Sequence, residues 1–106
     1  MFVTLWEFEV KPGSDGCFEN AYGPEGAWVR LFQRDTHFRG TQLLRDSSRP
    51  LLYFTLDFWD SETAYNNFLN ANRTAYEELD RRNEQFTLRE RHIGSFALAL
   101  PISPRP

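Results

Sequence analysis

A chain of 106 residues has room for one hydrophobic core and not for two, because domains usually run about 100 to 150 residues. Its 12 Lys and Arg against 15 Asp and Glu, a net charge of -3, include no basic run that would track a phosphate backbone, so no nucleic-acid partner is expected. The single Cys17 can form no internal disulfide and has no neighbouring His to share a zinc ion; with no apolar stretch near the ~20 residues of a membrane span and no signal peptide, a cytoplasmic protein without membrane or metal association is expected.

Phe2 to Val10, FVTLWEFEV, is rich in β-branched and aromatic types and ends at Lys11-Pro12-Gly13, which predicts a first strand and its stop. Ser14 or Asp15 can cap a helix with Phe18, Ala21 and Tyr22 at helical spacing, and Gly23-Pro24 interrupts it. Pro24 suits the first turn of a new helix carrying Trp28, Leu31 and Phe32, so the first helix is expected in two pieces. Arg39 to Asp46 reads as a second strand, and Ser47-Ser48-Arg49-Pro50 connects it to a third, Leu51 to Asp60, in a hairpin. Asp60-Ser61-Glu62 offers an N-cap and an acidic first turn. Ala64, Tyr65, Phe68 and Leu69 give the buried stripe of the second helix, Asn70-Ala71-Asn72 weakens it, and Tyr76, Leu79 and Phe86 continue it. A last strand runs from about Leu88 to Leu100, with Phe96, Leu98 and Leu100 on one face and Ile93 out of phase across Gly94. Pro101, Pro104 and Pro106 make residues 101–106 a loose tail behind a single domain of residues 1–100.

The order β-α-β-β-α-β is the split βαβ arrangement: an α+β, ferredoxin-like fold with a four-stranded antiparallel sheet and both helices on one face. Ten Phe, four Tyr and three Trp are a bulky apolar supply for a small domain and call for an extra surface to cover. In the third strand Leu52, Phe54, Leu56 and Phe58 share one face, and Tyr53, Thr55, Asp57 and Trp59 the other. The purely apolar set is expected under the helices. The Tyr53 and Trp59 side is expected against a second copy of the chain, in a sheet-to-sheet homodimer.

The patterns WEFEVKPG, YGPEGAW, FRGTQLLRD and LDFWDSETAYNNFL, in this order over about residues 2 to 98, resemble the antibiotic biosynthesis monooxygenase-like proteins of the dimeric α/β-barrel superfamily. The resemblance implies a homodimer with facing sheets and, in each subunit, a pocket between sheet and helices. Some members of that family oxidise small aromatic polyketides with molecular oxygen and neither metal nor flavin. Others bind haem and open its ring, and others have no known chemistry. The haem-degrading pattern departs here: its helical Trp falls at Phe68, its axial His near Glu78 and Leu79, and its first-strand Asn near Trp6. The cofactor-free oxygenases also use the helical Trp, of which Phe68 keeps only the aromatic character. No bound cofactor is implied, and a haem site would have to draw its ligand from His37 or His92.

Rings among Trp6, Trp28, Trp59, Tyr22, Tyr53, Tyr65 and Tyr76 either line an apolar cavity for a flat aromatic guest or fill the core and the dimer seam. Tyr22 and Trp28 flank the helix break, where free backbone groups can meet a ligand. The expected pocket set is Trp6, Tyr22, Trp28, Trp59, Phe68 and Tyr76. His37 and His92 are candidate proton shuttles, each beside charged neighbours that offer a plain salt-bridged reading. Asp57 is a carboxylate in an otherwise apolar strand, either a base with a raised pKa or half of an ion pair with Arg45 or Arg91. No Ser-His-Asp motif, Gly-rich phosphate loop or helical His pair points to hydrolysis, nucleotide binding or zinc chemistry. The expected function is binding of a small hydrophobic aromatic molecule, with cofactor-independent monooxygenation as the candidate reaction. Asp57, His37 or His92 is the expected base. A binding or regulatory module without turnover, or an atypical haem binder, are the alternatives.

Overall fold

The computed structural model describes residues 1–99; Leu100 and the proline tail, and the expectations placed on them, lie outside the described residues. Strand β1 (Phe2–Val10) is followed by helices α1 (Asp15–Tyr22) and α2 (Ala27–Phe32) and by strands β2 (Phe38–Arg45) and β3 (Leu52–Trp59). Helices α3 (Glu62–Ala71) and α4 (Arg73–Asn83), a 3-10 turn (Glu84–Phe86) and β4 (Thr87–Ala97) complete the chain. The strands pair antiparallel in the order β2-β3-β1-β4. This is the ferredoxin-like α+β fold, with the most aromatic strands, β1 and β3, at its centre. Among the described residues no helix is long and apolar enough to cross a membrane.

Local chemistry sets the breaks. Gly13 turns the chain out of β1 at a φ of +85, a left-handed conformation that a side chain would strain. Helix α1 stops where the Gly23 amide donates to the Glu19 carbonyl at 2.9 Å and the chain turns extended. At Gly26 a Cβ would collide with the carbonyl oxygens of Asn20 and Ala21, so glycine alone lets α2 start this close to the end of α1. Ser61 caps α3 by accepting from the Ala64 amide at 3.1 Å. Asn72 then ends α3 and opens α4: its backbone and side-chain nitrogens both donate to the Phe68 carbonyl at 3.0 Å, and its own carbonyl accepts from Tyr76 at 2.9 Å.

The two faces of β3 are the reverse of the expectation. Tyr53, Thr55, Asp57 and Trp59 are all buried under the helices, opposite Phe8, Trp6, Thr4 and Phe2 of β1. Tyr53 meets Phe18 of α1 at 4.9 Å between ring centres, and Trp59 meets Phe32 of α2 at 5.6 Å and Phe68 of α3 at 4.9 Å. Such ring pairs add about 1 kcal/mol each beyond the area they bury. Phe54, Leu56 and Phe58 face away from the helices and are only partly covered, beside exposed Leu44 and Phe96. The reason is volume. Indole and phenol rings fill the gap between sheet and helices better than Leu, and their polar tips are tolerated there, whereas the purely apolar row is the one left on the outer face.

Candidate functional site

Along the helix side of β3 the side chains run large, small, small, large: Tyr53, Thr55, Asp57, Trp59. With Thr41 of β2 beside them, the two short side chains leave a gap that the helices above do not fill. The result is a cavity of about 110 Å³ between sheet and helices. Trp6 and Phe8 of β1 continue its floor, and Tyr22, Trp28 and Phe32, on either side of the break between α1 and α2, form one wall. Tyr76 of α4 forms the other, its ring 4.9 Å edge-on to Trp28. Partly exposed Asp80 of α4 and Glu90 of β4 mark the mouth.

Asp57 is 8% exposed and accepts a hydrogen bond from the Thr41 hydroxyl at 2.7 Å. Burial pushes its carboxyl up to about 6, because the charged form loses its hydration. The Thr41 bond pulls the other way, and so does the nearby Thr4 hydroxyl, which sits opposite in register but outside hydrogen-bond geometry. The ion pair weighed for Asp57 is absent among the described residues. Arg45 instead reaches Asp15 at 3.6 Å and Glu19 at 3.5 Å, and Arg91 reaches Glu7 at 3.2 Å. A nine-tenths buried carboxyl therefore faces an aromatic cavity without a cation.

The other polar groups are donors or acids. Burial raises the Tyr22 and Tyr76 phenols far above their ordinary range, so both stay protonated and can donate. The Trp28 indole N–H is buried and makes no hydrogen bond of good geometry among the described residues, although it lies near enough to the Tyr22 phenol to oppose the rise in that group's pKa. At the mouth, burial and then the charges of Asp80 and Glu84 push Glu90 up to about 7. Asp80 is raised as well, by burial and then by Glu84. Two carboxyls from different elements thus come close enough at the mouth for the charge of one to act on the other.

The structure brings together Asp57, Trp6, Tyr22, Trp28 and Tyr76. Trp59 and Phe68 stand away from the cavity, packed on each other in the core with at most 1% exposure. His37 sits on the surface, its imidazole 2.9 Å from Asp35. His92 is exposed on the edge strand β4, its ring tilted against Trp6 at 4.9 Å and beside the Ser95 hydroxyl at 3.2 Å. Neither imidazole lines the cavity. Sequence reasoning passed over Thr41, Thr55, Asp80 and Glu90. The spacing Tyr76 to Asp80, one helical turn on the same face, was the available signal for Asp80, whereas Glu90 lies in the charged run RERH and reads as solvated.

The family model described as antibiotic biosynthesis monooxygenase matches residues 1–76. Among solved structures, a point mutant of SnoaB, a cofactor-independent oxygenase from Streptomyces nogalater, superposes with a TM-score of 0.76 at 18% identity, covering 97% of both chains. A point mutant of MhuD with two manganese protoporphyrin IX bound per active site superposes with a TM-score of 0.75 at 20% identity, over 98% of this chain and 100% of that one. At such identities the likeness is one of fold. Comparison with curated proteins found no match.

Proposed function

Because the chain belongs to the antibiotic biosynthesis monooxygenase family, we propose that it is a cofactor-independent monooxygenase whose helix-side cavity binds a small aromatic molecule, with Asp57 as general base. The observation that carries this reading is the buried carboxyl of Asp57, raised to about 6 and paired with no cation among the described residues, on the floor of an aromatic-lined cavity. A base poised near neutrality accepts a proton from a phenol or an acidic CH next to a carbonyl and leaves a carbanion or phenolate that molecular oxygen can oxidise. For an activated methylene the overall change is CH2 plus O2 to C=O plus H2O, one oxygen atom retained and the other released as water. Trp28 N–H, Tyr22 and Tyr76 supply donors near the developing oxyanion.

A porphyrin does not fit these residues. The cavity is well below the roughly 300 Å³ at which drug-sized pockets begin, no imidazole lines it, and its three carboxyls would face the propionates. The outer sheet face supports a homodimer: Phe54, Leu56 and Phe58 lie partly covered beside exposed Leu44 and Phe96, an apolar row that a second copy covers through the same row. A soluble dimer working in the cytoplasm accords with this reading.

Oxygen uptake with a panel of single-ring phenols and single-ring ketones bearing an acidic CH tests the proposal. Wild type should consume oxygen with at least one of them, and Asp57→Asn should lose about a hundredfold or more in rate, the usual contribution of a positioned base. Binding of these compounds without uptake would refute the enzymatic reading and leave a binding module.

A further inference from the structure

Among the described residues the cavity is lined by three carboxyl groups and by no Lys, Arg or His. The arginines of the neighbouring strands are engaged elsewhere: Arg45 with Asp15 and Glu19, Arg89 with Glu9 at 3.1 Å, Arg91 with Glu7. The carboxyls form two separate poles. Asp57 is on the floor in register with Thr4, and Glu90, with Asp80 beside it, is at the mouth in register with Phe8. Two strand spacings of about 4.8 Å and four residue rises of about 3.4 Å put the backbones of Asp57 and Glu90 roughly 16 Å apart. Once the side chains reach inward, a gap about the length of one ring and a two-carbon tail remains.

The walls between the poles are ring faces. Tyr76 lines the cavity together with Asp57, Asp80 and Glu90, and burial first, then the charges of all three, raise its pKa. An aromatic face attracts a cation within about 6 Å and repels an anion. The size of the space sets the rest. At about 110 Å³ it is smaller than the ~150 Å³ apolar cavity that admits benzene, so it holds no more than a single ring and leaves any tail at the mouth.

We propose that this cavity selects a single-ring aromatic amine, with a phenol-like donor on Asp57 and a protonated ammonium between Asp80 and Glu90. The proposal rests on the reading that the helix-side cavity is the ligand site, and adds the charge and size of the guest. The ammonium offsets the like charge that the two mouth carboxyls bring together. The ring lies against Trp28 and Tyr76, and the donor gives Asp57 a second partner beside the Thr41 hydroxyl. A guest with a carboxylate tail meets like charge at the mouth and is rejected.

The test uses three probes of one shape: tyramine, neutral 4-ethylphenol and anionic 4-hydroxyphenylacetate, titrated by calorimetry and by the fluorescence of Trp6 and Trp28. Tyramine should bind about tenfold or more tighter than 4-ethylphenol, as expected for hydrogen bonds to charged groups, and the anion more weakly than either. Asp80→Asn combined with Glu90→Gln should bring the ratio of tyramine to 4-ethylphenol affinity close to one. If that variant fails to fold, the same ratio in wild type should shrink as salt rises from about 10 mM to about 0.5 M. Binding of 4-ethylphenol with no preference for tyramine, or a preference that survives the substitutions or the salt, overturns this proposal and leaves the cavity as the ligand site. Failure of all three probes to bind overturns both.

Discussion

Replacing Asp57 by Asn should make the protein more stable, in a manner set by pH. In the unfolded chain an aspartate titrates near 3.9, whereas burial holds the native Asp57 carboxyl at about 6. Below about pH 4 both states carry the proton and the burial costs nothing extra. Between about 4 and 6 the native state keeps a proton that the unfolded state has released, so stability falls as pH rises. Above 6 the full cost is present, about 2 pH units or about 3 kcal/mol. The amide removes that charge, its oxygen can still accept from Thr41, and its NH2 meets the otherwise unpartnered Thr4 hydroxyl. Urea unfolding of wild type and Asp57→Asn from pH 4 to pH 8 should therefore give curves that coincide at the acid end and separate by about 3 kcal/mol at pH 8, the variant being the more stable. Curves that stay parallel across the range, or a variant weaker at pH 8, would refute the claim that Asp57 is a buried charge held for function at the expense of stability.

Other substitutions probe the frame around the site. Phe68→Ala removes a ring packed on Trp59 and Phe32 with 1% exposure and should lower stability by about 3 to 5 kcal/mol, measured by the same unfolding. Leu56→Glu places a charge at the middle of the outer sheet face, between Leu5 and Gln42 in register, and should convert a dimer to a monomer in sedimentation velocity while 4-ethylphenol binding persists. Gly26→Ala drives a methyl into the carbonyl oxygens of Asn20 and Ala21. It should displace α2, cost about 1 to 3 kcal/mol and weaken 4-ethylphenol binding through Trp28; an unchanged melting temperature would show that the break is not packed as described.

The order of elements was legible because each stop is carried by a residue with a local reason. Gly13 reverses the chain, Gly23 and Gly26 bound the first helix break, and Ser61 and Asn72 bound α3. Which face of β3 lies inward was not legible. Period-two alternation separates Tyr53, Thr55, Asp57 and Trp59 from Leu52, Phe54, Leu56 and Phe58, but when both faces carry large rings nothing in the period orients them. Hydropathy then favoured the purely apolar row for the core and chose wrongly. The clue lay in pairing: Thr4 and Thr41 flank Asp57 in register on both neighbouring strands, a small polar patch across three strands that marks the cavity floor, and register is what a single sequence withholds. Reasoning from the helix break placed Tyr22 and Trp28 in the expected pocket, and both line the cavity, whereas Trp59, expected there for its ring, and Phe68, carried over from the helical Trp of the resembling family, pack in the core.

The most direct test is the titration of the Asp57 side-chain carboxyl, followed by carbon-13 NMR in the presence and absence of 4-ethylphenol. The account predicts a midpoint near 6 and a resonance that moves saturably as the phenol is added. A midpoint near 4, or a signal indifferent to a phenol that binds elsewhere on the protein, would contradict it.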